Sequence, residues 1–228
     1  MTLTELSPGR LWCARQPLRF GPLAIHTRMT VVRLDDGGLW VHSPIQPTEA
    51  LVAQLQALGP VRHVVAPNRS HHLFFSPFLA AFPEAGGFIA PGLEGKRPDL
   101  SAHRRLVPGE AMPWTPELPS WFIEGLPVIN ETVFFHPATG TLVLTDLLFR
   151  FGDDNRGLAR LAARLLGVYD RLAMSRTMKL MVRDRAALRR SIEPLLALDV
   201  RRIVLAHDQV VEHEARAALA RAFAWLQA

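Results

Sequence analysis

Cysteine, lysine and tyrosine are scarce in this sequence, and a long apolar run is missing. Cys13 is the single cysteine among 228 residues, which excludes an intrachain disulfide and a cysteine-rich zinc site and is typical of a reducing compartment. No run of about 18 apolar residues is present that would cross a membrane as a helix. The N-terminal residues also lack the basic start and apolar stretch of a signal peptide. We therefore expect a soluble, cytoplasmic protein without a membrane partner.

Positive charge is supplied almost entirely by arginine. Lys96 and Lys179 are the only lysines, yet the formal net charge is +5 and the sequence pI is about 10.5. A basic protein can bind nucleic acid, but these arginines are scattered, mostly on predicted helical faces, as at Arg156, Arg160 and Arg164. Because no basic run is interleaved with aromatic residues, we favour a solvated, arginine-rich surface and expect no nucleic-acid partner.

Hydrophobic content is high enough for a sizeable core. Hydrophobic residues make up 49% of the sequence and the mean hydropathy is +0.11. Both values are typical of a compact globular chain rather than a disordered one. We expect a single domain that spans residues 1–228.

Strands and helices alternate along the chain. The turn signal at residues 35–38 predicts a hairpin, and Gly59-Pro60 ends a helix that begins near Pro47. The first half is predicted to contain strands at residues 29–34, 38–42, 61–66 and 88–90, and helices at residues 47–58 and 73–82. The second half is predicted to contain strands at residues 121–124, 131–136, 141–145 and 202–206, and helices at about residues 155–173, 184–198 and 212–227. Asp184 is a predicted helix cap, and the stretch from Pro91 to Pro119 is predicted to be a long surface excursion. This mixture predicts a layered α/β fold.

Three of the short apolar runs lead into histidine or aspartate. The run at residues 61–67 leads to His71 and His72, the run at 141–145 to Asp146, and the run at 202–206 to His207 and Asp208. Ligand sites of α/β folds lie at strand ends, and imidazole and carboxylate groups together suit zinc, iron or manganese. The remaining histidines are predicted to be ordinary core or surface residues: His26, His42, His63, His103, His136 and His213.

Several of these motifs resemble the metallo-β-lactamase-like superfamily, in a branch of unknown function with an Asn-x-x-His-His motif. The resemblance covers nearly the whole chain. It is carried by Arg28–Leu34, His42-Ser-Pro44, Ala66-Pro-Asn-Arg-Ser-His-His72, Glu131–His136, Thr145-Asp-Leu-Leu-Phe149 and Leu205-Ala-His207. It implies an α/β fold built as a four-layer αββα sandwich. The metal site is then expected at one sheet edge, between the two β-layers, with hydrolysis by a metal-activated hydroxide.

The sequence departs from the superfamily's His-x-His-x-Asp-His motif. When the last histidine of the motif is placed on His72, its first two histidine positions fall on Pro67 and Arg69, and its aspartate position falls on His71. The later histidine at a strand start corresponds to Glu131, the bridging aspartate to Asp146 and the final histidine to His207. The resemblance therefore implies that the first metal position is empty or altered.

The second metal position keeps enough donors for one ion. We expect one divalent transition metal, zinc in preference to iron or manganese, with His71, His72, Asp146 and His207 as ligands. Glu131 either joins this set or acts as a base, and Asp146 is a catalytic candidate as well as a ligand. Arg69 either clamps an anionic substrate or pairs with Glu131 or Asp146 in place of the missing cation. Asn68 is expected to cap the backbone that follows it.

Two functions from different classes follow from this interpretation. The first is a metal-dependent hydrolase of a small ester, thioester or phosphoester, and its partner is a small-molecule substrate. The second is a degenerate, non-catalytic protein that keeps the scaffold to bind a ligand or partner. An iron oxidoreductase is a weaker third option. Residues 174–183, which contain three methionines and three basic residues, form either a lid or apolar acyl pocket or, as we favour, an ordinarily packed helix.

Overall fold

Two β-sheets and the helices outside them make up the computed structural model, which describes residues 2–207 and 209–227. Asp208, predicted to follow a strand end, lies outside the described residues. The first sheet contains β1 Thr4–Ser7, β2 Leu11–Phe20, β3 Leu23–Arg33, β4 Leu39–His42, β5 Val61–Ala66, β6 Gly86–Ile89 and β7 Arg104–Arg105. Its strands lie in sequence order from β1 to β7. They pair antiparallel from β1 to β4 and parallel from β4 to β7.

The second sheet has four strands among the described residues, β8 Ser120–Phe122, β9 Thr132–His136, β10 Thr141–Leu144 and β11 Arg202–Leu205. Their order is β11-β10-β9-β8, with β10 parallel to β11 and antiparallel to β9. The helices are α1 Glu49–Leu58, α2 Phe75–Ala81, α3 Leu93–Lys96, α4 Gly157–Leu166, α5 Arg176–Leu180, α6 Arg185–Ala197 and α7 Ala215–Phe223. No helix of the described chain is both long and apolar enough to span a membrane.

Three apolar clusters define four layers. Alternate residues of a strand point to opposite faces, so Val31 and Val64 pack toward α1, α2 and α3, while Val32 and Val65 pack toward the second sheet. In the second sheet Phe134 and Val143 face the first sheet. Their neighbours Val133, Phe135, Leu142 and Leu144 pack against α6 and α7. The order of layers is helix, sheet, sheet, helix, which confirms the predicted αββα sandwich.

Local sequence signals account for most element boundaries. The Thr48 side chain accepts a hydrogen bond from the Leu51 backbone N–H at the start of α1, and Asp184 accepts one from Ala187 at the start of α6, as predicted. Gly140 adopts φ 62° between β9 and β10, a left-handed conformation that glycine reaches without strain.

Three sequence predictions differ from the structure. β1 and β2 were not predicted, since β2 contains Gln16, Pro17 and arginines that weaken an apolar alternation. The stretch from Pro91 to Pro119 is not simply a surface excursion, because it places Trp114, Leu106 and Leu118 in the core between the sheets. α4 ends at Leu166 instead of residue 173, because Gly167 takes a left-handed conformation and closes the helix.

The methionines of residues 174–183 divide between core and surface. Met174 is buried and Met178 packs against the cluster around the second sheet, as ordinary helix packing requires. Met181 remains largely exposed.

Candidate metal site

Three strand ends converge at one edge of the two sheets. β5 leads into the loop that carries Asn68 and His71, β10 leads to Asp146, and β11 leads to His207. β10 and β11 are parallel neighbours in which Leu144 pairs with Leu205. Asp146 and His207 each follow two residues later, so the register of the pair sets them side by side.

His71, Asp146 and His207 form a compact group of potential metal ligands. His71 Nε2 lies 3.1 Å from His207 Nε2 and 3.5 Å from Asp146 Oδ1, and His207 Nε2 lies 3.3 Å from the same oxygen. A tetrahedral ion with ligands at about 2.0–2.1 Å has ligand atoms about 3.3 Å apart. The three atoms therefore fit one face of such a tetrahedron, and the donor set fits a zinc-like ion with a position left open.

The outer ring nitrogens of both histidines have partners. His207 Nδ1 lies 2.8 Å from the backbone carbonyl of His26. Because a carbonyl only accepts, Nδ1 carries the proton, which leaves the Nε2 lone pair of a neutral ring for a metal. His71 Nδ1 lies 2.6 Å from Ser43 Oγ. Ser43 has φ 53° directly after β4, a left-handed backbone that is uncommon for serine.

Asn68 links the loop of His71 to the loop of Asp146. Its side-chain oxygen accepts hydrogen bonds from the backbone N–H groups of Ser70 and His71, both at 2.8 Å, so the predicted turn-capping role is confirmed. Its amide donates to Asp146 Oδ2 and Thr145 Oγ1, each at 2.8 Å, and to Glu131 Oε2 at 3.3 Å. Sequence reasoning missed this second function, since it depends on residues more than 60 positions away.

Glu131 is buried behind the three ligands. Oε1 accepts from the backbone N–H of Thr145 at 2.7 Å, and Oε2 accepts from those of Asp146 and Leu147 at 2.7 and 3.1 Å. The carboxylate thus acts as a clamp on the start of the loop after β10. Both oxygens face the loop backbone and Asn68, and Glu131 lies outside the group of three ligands. The predicted metal-ligand role therefore receives no geometric support.

The two carboxyl groups have opposite pKa shifts. Burial and then the charge of Asp146 raise the pKa of Glu131 to about 7, against the lowering effect of its hydrogen bonds. Burial would also raise the pKa of Asp146, but His71 and His207 outweigh it and hold that pKa well below its ordinary range. Asp146 is therefore an ionised carboxylate, the form that binds metal.

The structure does not bring His72 into the ligand group. Its Nδ1 lies 3.0 Å from a guanidinium nitrogen of Arg97, which is a donor only, so Nδ1 accepts. Burial, Lys96 and Arg97 together lower the pKa of His72 to about 4, so the ring is neutral near pH 7. Adjacent residues of this turn contact different partners, with His71 toward Asp146 and His72 toward Arg97. The predicted ligand role of His72 therefore stays a prediction without support from this geometry.

Arg69 contacts neither Glu131 nor Asp146 in the described chain. Its guanidinium donates to the Pro127 carbonyl at 3.4 Å, and its backbone N–H donates to Ile129. The predicted replacement of a missing cation by Arg69 is therefore wrong, since the guanidinium is directed at a neighbouring loop. Its predicted role as a substrate clamp stays a prediction.

The site is enclosed by protein on most sides. The side chains of His71, Asp146 and His207 are 7–9% exposed. The Phe149 ring stacks on His207 with centroids 5.9 Å apart, and Phe151 stacks on Phe149. Sequence reasoning gave Ser43 and Phe149 no role, although both lie in motifs that carry the resemblance and each is close to a predicted strand end.

Comparison with known proteins identifies the family. The profile described as "Domain of unknown function (DUF4336)" matches residues 8–190. The chain belongs to the DUF4336 family. No curated protein matches the sequence.

Solved structures similar to this DUF4336 protein have the metallo-β-lactamase fold. A metallo-β-lactamase from Pontibacter korlensis is 13% identical with a TM-score of 0.66, and the alignment covers 99% of this chain and 98% of that one. One from Erythrobacter litoralis is 18% identical with a TM-score of 0.65 and coverages of 99% and 95%. A putative diflavin flavoprotein fragment from Nostoc sp. PCC 7120 is 15% identical with a TM-score of 0.65 and coverages of 99% and 96%. The predicted metallo-β-lactamase-like fold, in a branch of unknown function, is confirmed.

Proposed function

We propose that this DUF4336 protein is a hydrolase that uses one divalent transition-metal ion, with zinc favoured over iron or manganese. The observation that carries the proposal is the triangle of donor atoms from His71, Asp146 and His207, with edges of 3.1–3.5 Å. Two imidazole nitrogens beside a carboxylate oxygen are a donor set that these ions prefer.

Three features support one ion rather than two. Pro67 has no side-chain donor, the Arg69 guanidinium is directed at Pro127, and Glu131 is engaged by backbone N–H groups. These are the positions at which the resemblance places the ligands of the first ion. Because these three residues offer no ligand for a first ion, the remaining donors serve a single tetrahedral site.

The protein's own residues orient the site. Ser43 and the His26 carbonyl fix the two imidazole rings so that both Nε2 atoms face Asp146 Oδ1. Asn68 and Glu131 hold the Asp146 loop and keep Oδ2 occupied. When bound, the ion lowers the pKa of water at its open position and polarises a substrate oxygen.

The small exposure of the ligand side chains restricts the substrate. Because His71, Asp146 and His207 are each less than one-tenth exposed, a bulky substrate does not reach the ion without rearrangement. A small ester, thioester or phosphoester fits best, and Phe149 lies beside His207 as an apolar contact for it.

Elemental analysis of protein purified without added metal tests the proposal. We expect about one zinc-like ion per chain. We expect this ion to be lost in His207→Gln and Asp146→Asn variants and retained in His72→Gln, whose ring contacts Arg97. His213→Gln, on an exposed residue, is the matched control. Metal-free, folded wild-type protein that takes up no zinc would refute the proposal.

Activity is tested with three small chromogenic substrates, a carboxylate ester, a thioester and a phosphodiester. We expect hydrolysis of one class that stops on chelation and returns on addition of one equivalent of zinc. A reaction that survives chelation or the loss of His207 would come from another site or a contaminant.

The enclosure of the site favours one alternative, a non-catalytic protein in which the metal or ligand has a binding role. Side chains that are 7–9% exposed leave a narrow path to the ion. This alternative predicts tight metal binding without turnover of any of the three substrates.

A further inference from the structure

The net positive charge of the protein comes from one segment. Residues 150–183, which connect β10 to α6, contain eight arginine or lysine residues and three aspartates. This excess of five equals the formal net charge of the whole chain, which is +5. The remaining residues are therefore balanced in charge, and the basic character of the protein is local.

The acidic residues of this 150–183 segment are already paired with arginines. Asp153 accepts from Arg160, and Asp154 pairs with Arg15. Asp170 lies 3.5 Å from Arg150. Among the described residues, no ion pair involves the exposed arginines of the segment, which are Arg156, Arg164, Arg171, Arg176 and Arg183. Uncompensated positive charge therefore faces solvent.

The same segment also exposes large apolar side chains. Of the eight exposed large hydrophobic residues in the described chain, five lie in it. These five are Leu158, Leu161, Leu165, Leu180 and Met181, with exposures of 61%, 54%, 63%, 86% and 45%. Single exposed leucines are common, but a concentration of them marks an interaction surface.

Three of these leucines form a stripe along α4. Leu158, Leu161 and Leu165 are spaced i, i+3 and i+7, which places them on one side of a helix. The opposite side carries Ala159 and Ala163, which are buried against the protein. α4 is thus an amphipathic helix that turns its larger apolar residues outward, and its charged residues are all arginines.

α5 continues this surface at the C-terminal end of α4. The Arg176 guanidinium donates to the Leu165 carbonyl at 3.1 Å, which joins the start of α5 to the last turn of α4. Arg164 lies over the Tyr169 ring at 4.8 Å. Arg164 and Arg176 therefore lie at the C-terminal end of the helix that carries the exposed leucines.

We propose that the 150–183 segment binds the surface of a lipid bilayer that contains anionic headgroups. An outward leucine stripe flanked by arginines, with no acidic residue on the helix, is the pattern of helices that lie in a membrane interface. Its charge complements anionic lipids, which attract clustered basic residues. This proposal revises the expectation of no membrane partner and is independent of the proposed hydrolase function.

Charge and composition favour a lipid bilayer over a second copy of the chain or a nucleic acid as the partner of this segment. Two copies of the same basic surface repel each other, which opposes a dimer through α4. Arginines attract nucleic acid, but the three exposed leucines do not contribute to its binding. The segment also lacks exposed aromatic residues on which bases could stack.

Co-sedimentation of the full-length protein with vesicles tests the proposal. We use phosphatidylcholine vesicles with and without about 30% phosphatidylserine, a lipid that makes the vesicle surface anionic. We expect binding to the anionic vesicles, weakened at least about tenfold in Leu158→Ser/Leu161→Ser/Leu165→Ser and in Arg156→Gln/Arg164→Gln/Arg183→Gln. All six side chains are exposed, so folding is expected to be unaffected and is checked by circular dichroism.

Two matched control variants remove the same groups elsewhere. Leu73→Ser/Val107→Ser/Val128→Ser removes the exposed apolar residues outside the segment, and Arg189→Gln/Arg190→Gln/Arg216→Gln removes exposed arginines of α6 and α7. Both are expected to bind within about twofold of wild type, since neither set lies in the proposed surface. Equal losses in the controls would overturn the proposal.

Three other results would also overturn it. The first is failure of the wild-type protein to bind anionic vesicles. The second is self-association in sedimentation velocity that the leucine variant abolishes, which would identify a second copy as the occupant. The third is RNA binding that the arginine variant loses, together with vesicle binding that neither variant changes.

Discussion

Glu131 and Asn68 set the position of Asp146 without being ligands in the group of three. Glu131 accepts three backbone N–H groups of the loop after β10, and Asn68 binds both Glu131 and Asp146. A buried carboxylate with this many donors serves a structural purpose that its sequence position does not reveal. Replacing such a residue is therefore expected to lower the stability of the fold as well as to disturb the metal site.

At the residue scale, replacing Glu131 by glutamine is expected to destabilise the fold. At a pH above its pKa of about 7, Glu131 offers only acceptors, whereas glutamine brings two N–H donors, so at least one backbone N–H loses its partner in a buried site. We expect a loss of about 2–4 kcal/mol in the free energy of unfolding. Urea denaturation in the presence of a chelator measures it, with Glu193→Gln on the exposed side of α6 as the control. A loss of stability no greater than that of the control would contradict the role of Glu131 as a clamp on the loop after β10.

Ser43 permits a second prediction at this scale. Its hydroxyl lies 2.6 Å from His71 Nδ1 and holds the ring with Nε2 toward Asp146. Ser43→Ala is expected to weaken metal affinity about 10–100-fold, the usual effect of removing a partner of a ligating histidine. Competition with a chromophoric chelator measures the affinity, and Ser101→Ala at an exposed position is the control. Unchanged affinity would show that packing alone orients His71.

At the scale of elements, the backbone that follows β8 can lie against the start of α6 because residue 125 is a glycine. Gly125 has φ +76°, and a Cβ there would lie 2.1 Å from the Asp184 carbonyl oxygen and 2.8 Å from Leu188 N. The Gly125 carbonyl also accepts from the N–H groups of Arg183 and Asp184. The N-terminus of α6 is therefore seated directly on this backbone.

Gly125→Ala is expected to destabilise the protein by about 3 kcal/mol or more, because a backbone clash adds to the left-handed strain. Gly109 provides the matched control, since it has φ +78° with nothing within 4 Å of its Cβ position. Gly109→Ala is expected to cost about 1–2 kcal/mol from the strained backbone alone. Thermal or urea unfolding compares the two, and equal losses would mean that α6 moves aside without cost.

Several elements were predictable because their signals are local. The Thr48 and Asp184 caps, the Gly59 stop and the turn between β9 and β10 each depend on residues within a few positions. β2 and the core residue Trp114 were not predictable in the same way. β2 pairs with its sequence neighbours β1 and β3, but its Gln16, Pro17 and arginines conceal the alternation that predicts a strand. Contact with Trp40 and Phe88, which lie on other strands of the first sheet, buries Trp114.

At the scale of the whole molecule, burial gives the stability a dependence on pH. Burial is the first cause of the lowered pKa of five histidines, His42, His63, His72, His103 and His136. An unfolded histidine takes up a proton as the pH falls through about 6.5, whereas these folded rings take one up only at a lower pH. Protonation then favours the unfolded chain, so stability is full above about pH 6.5 and is lost below it.

Glu131 acts in the opposite direction. Its folded pKa of about 7 lies above the ordinary value of 4.5. The folded protein therefore takes up this proton before the unfolded chain does, and stability gains from it as the pH falls. One carboxyl group against five histidines leaves a net loss on acidification.

We expect the free energy of unfolding to fall between pH 7 and pH 5, with a large part of the loss due to His42, whose pKa burial holds well below its ordinary value. His42→Phe keeps the aromatic contacts with Trp40 and Phe134 and is expected to flatten the profile. His213→Gln, at an exposed position, is expected to leave it unchanged. Urea titrations at several pH values with chelator present measure the profiles, and a wild-type profile that is flat or rises would contradict the argument.

The sequence by itself determined the mixture of strands and helices and the strand ends that carry His71, Asp146 and His207, because alternation, caps and turn residues act over short distances. The αββα order of the layers was implied by the resemblance to metallo-β-lactamase-like proteins. Only the tertiary structure decided that His71 rather than its neighbour His72 faces the site, and that Glu131 binds the backbone of a loop. It also showed that three leucines of α4 are exposed and that Arg176 of α5 contacts the last turn of that helix. Side-chain direction and distant hydrogen bonds depend on how the layers meet, and a linear pattern does not contain that information.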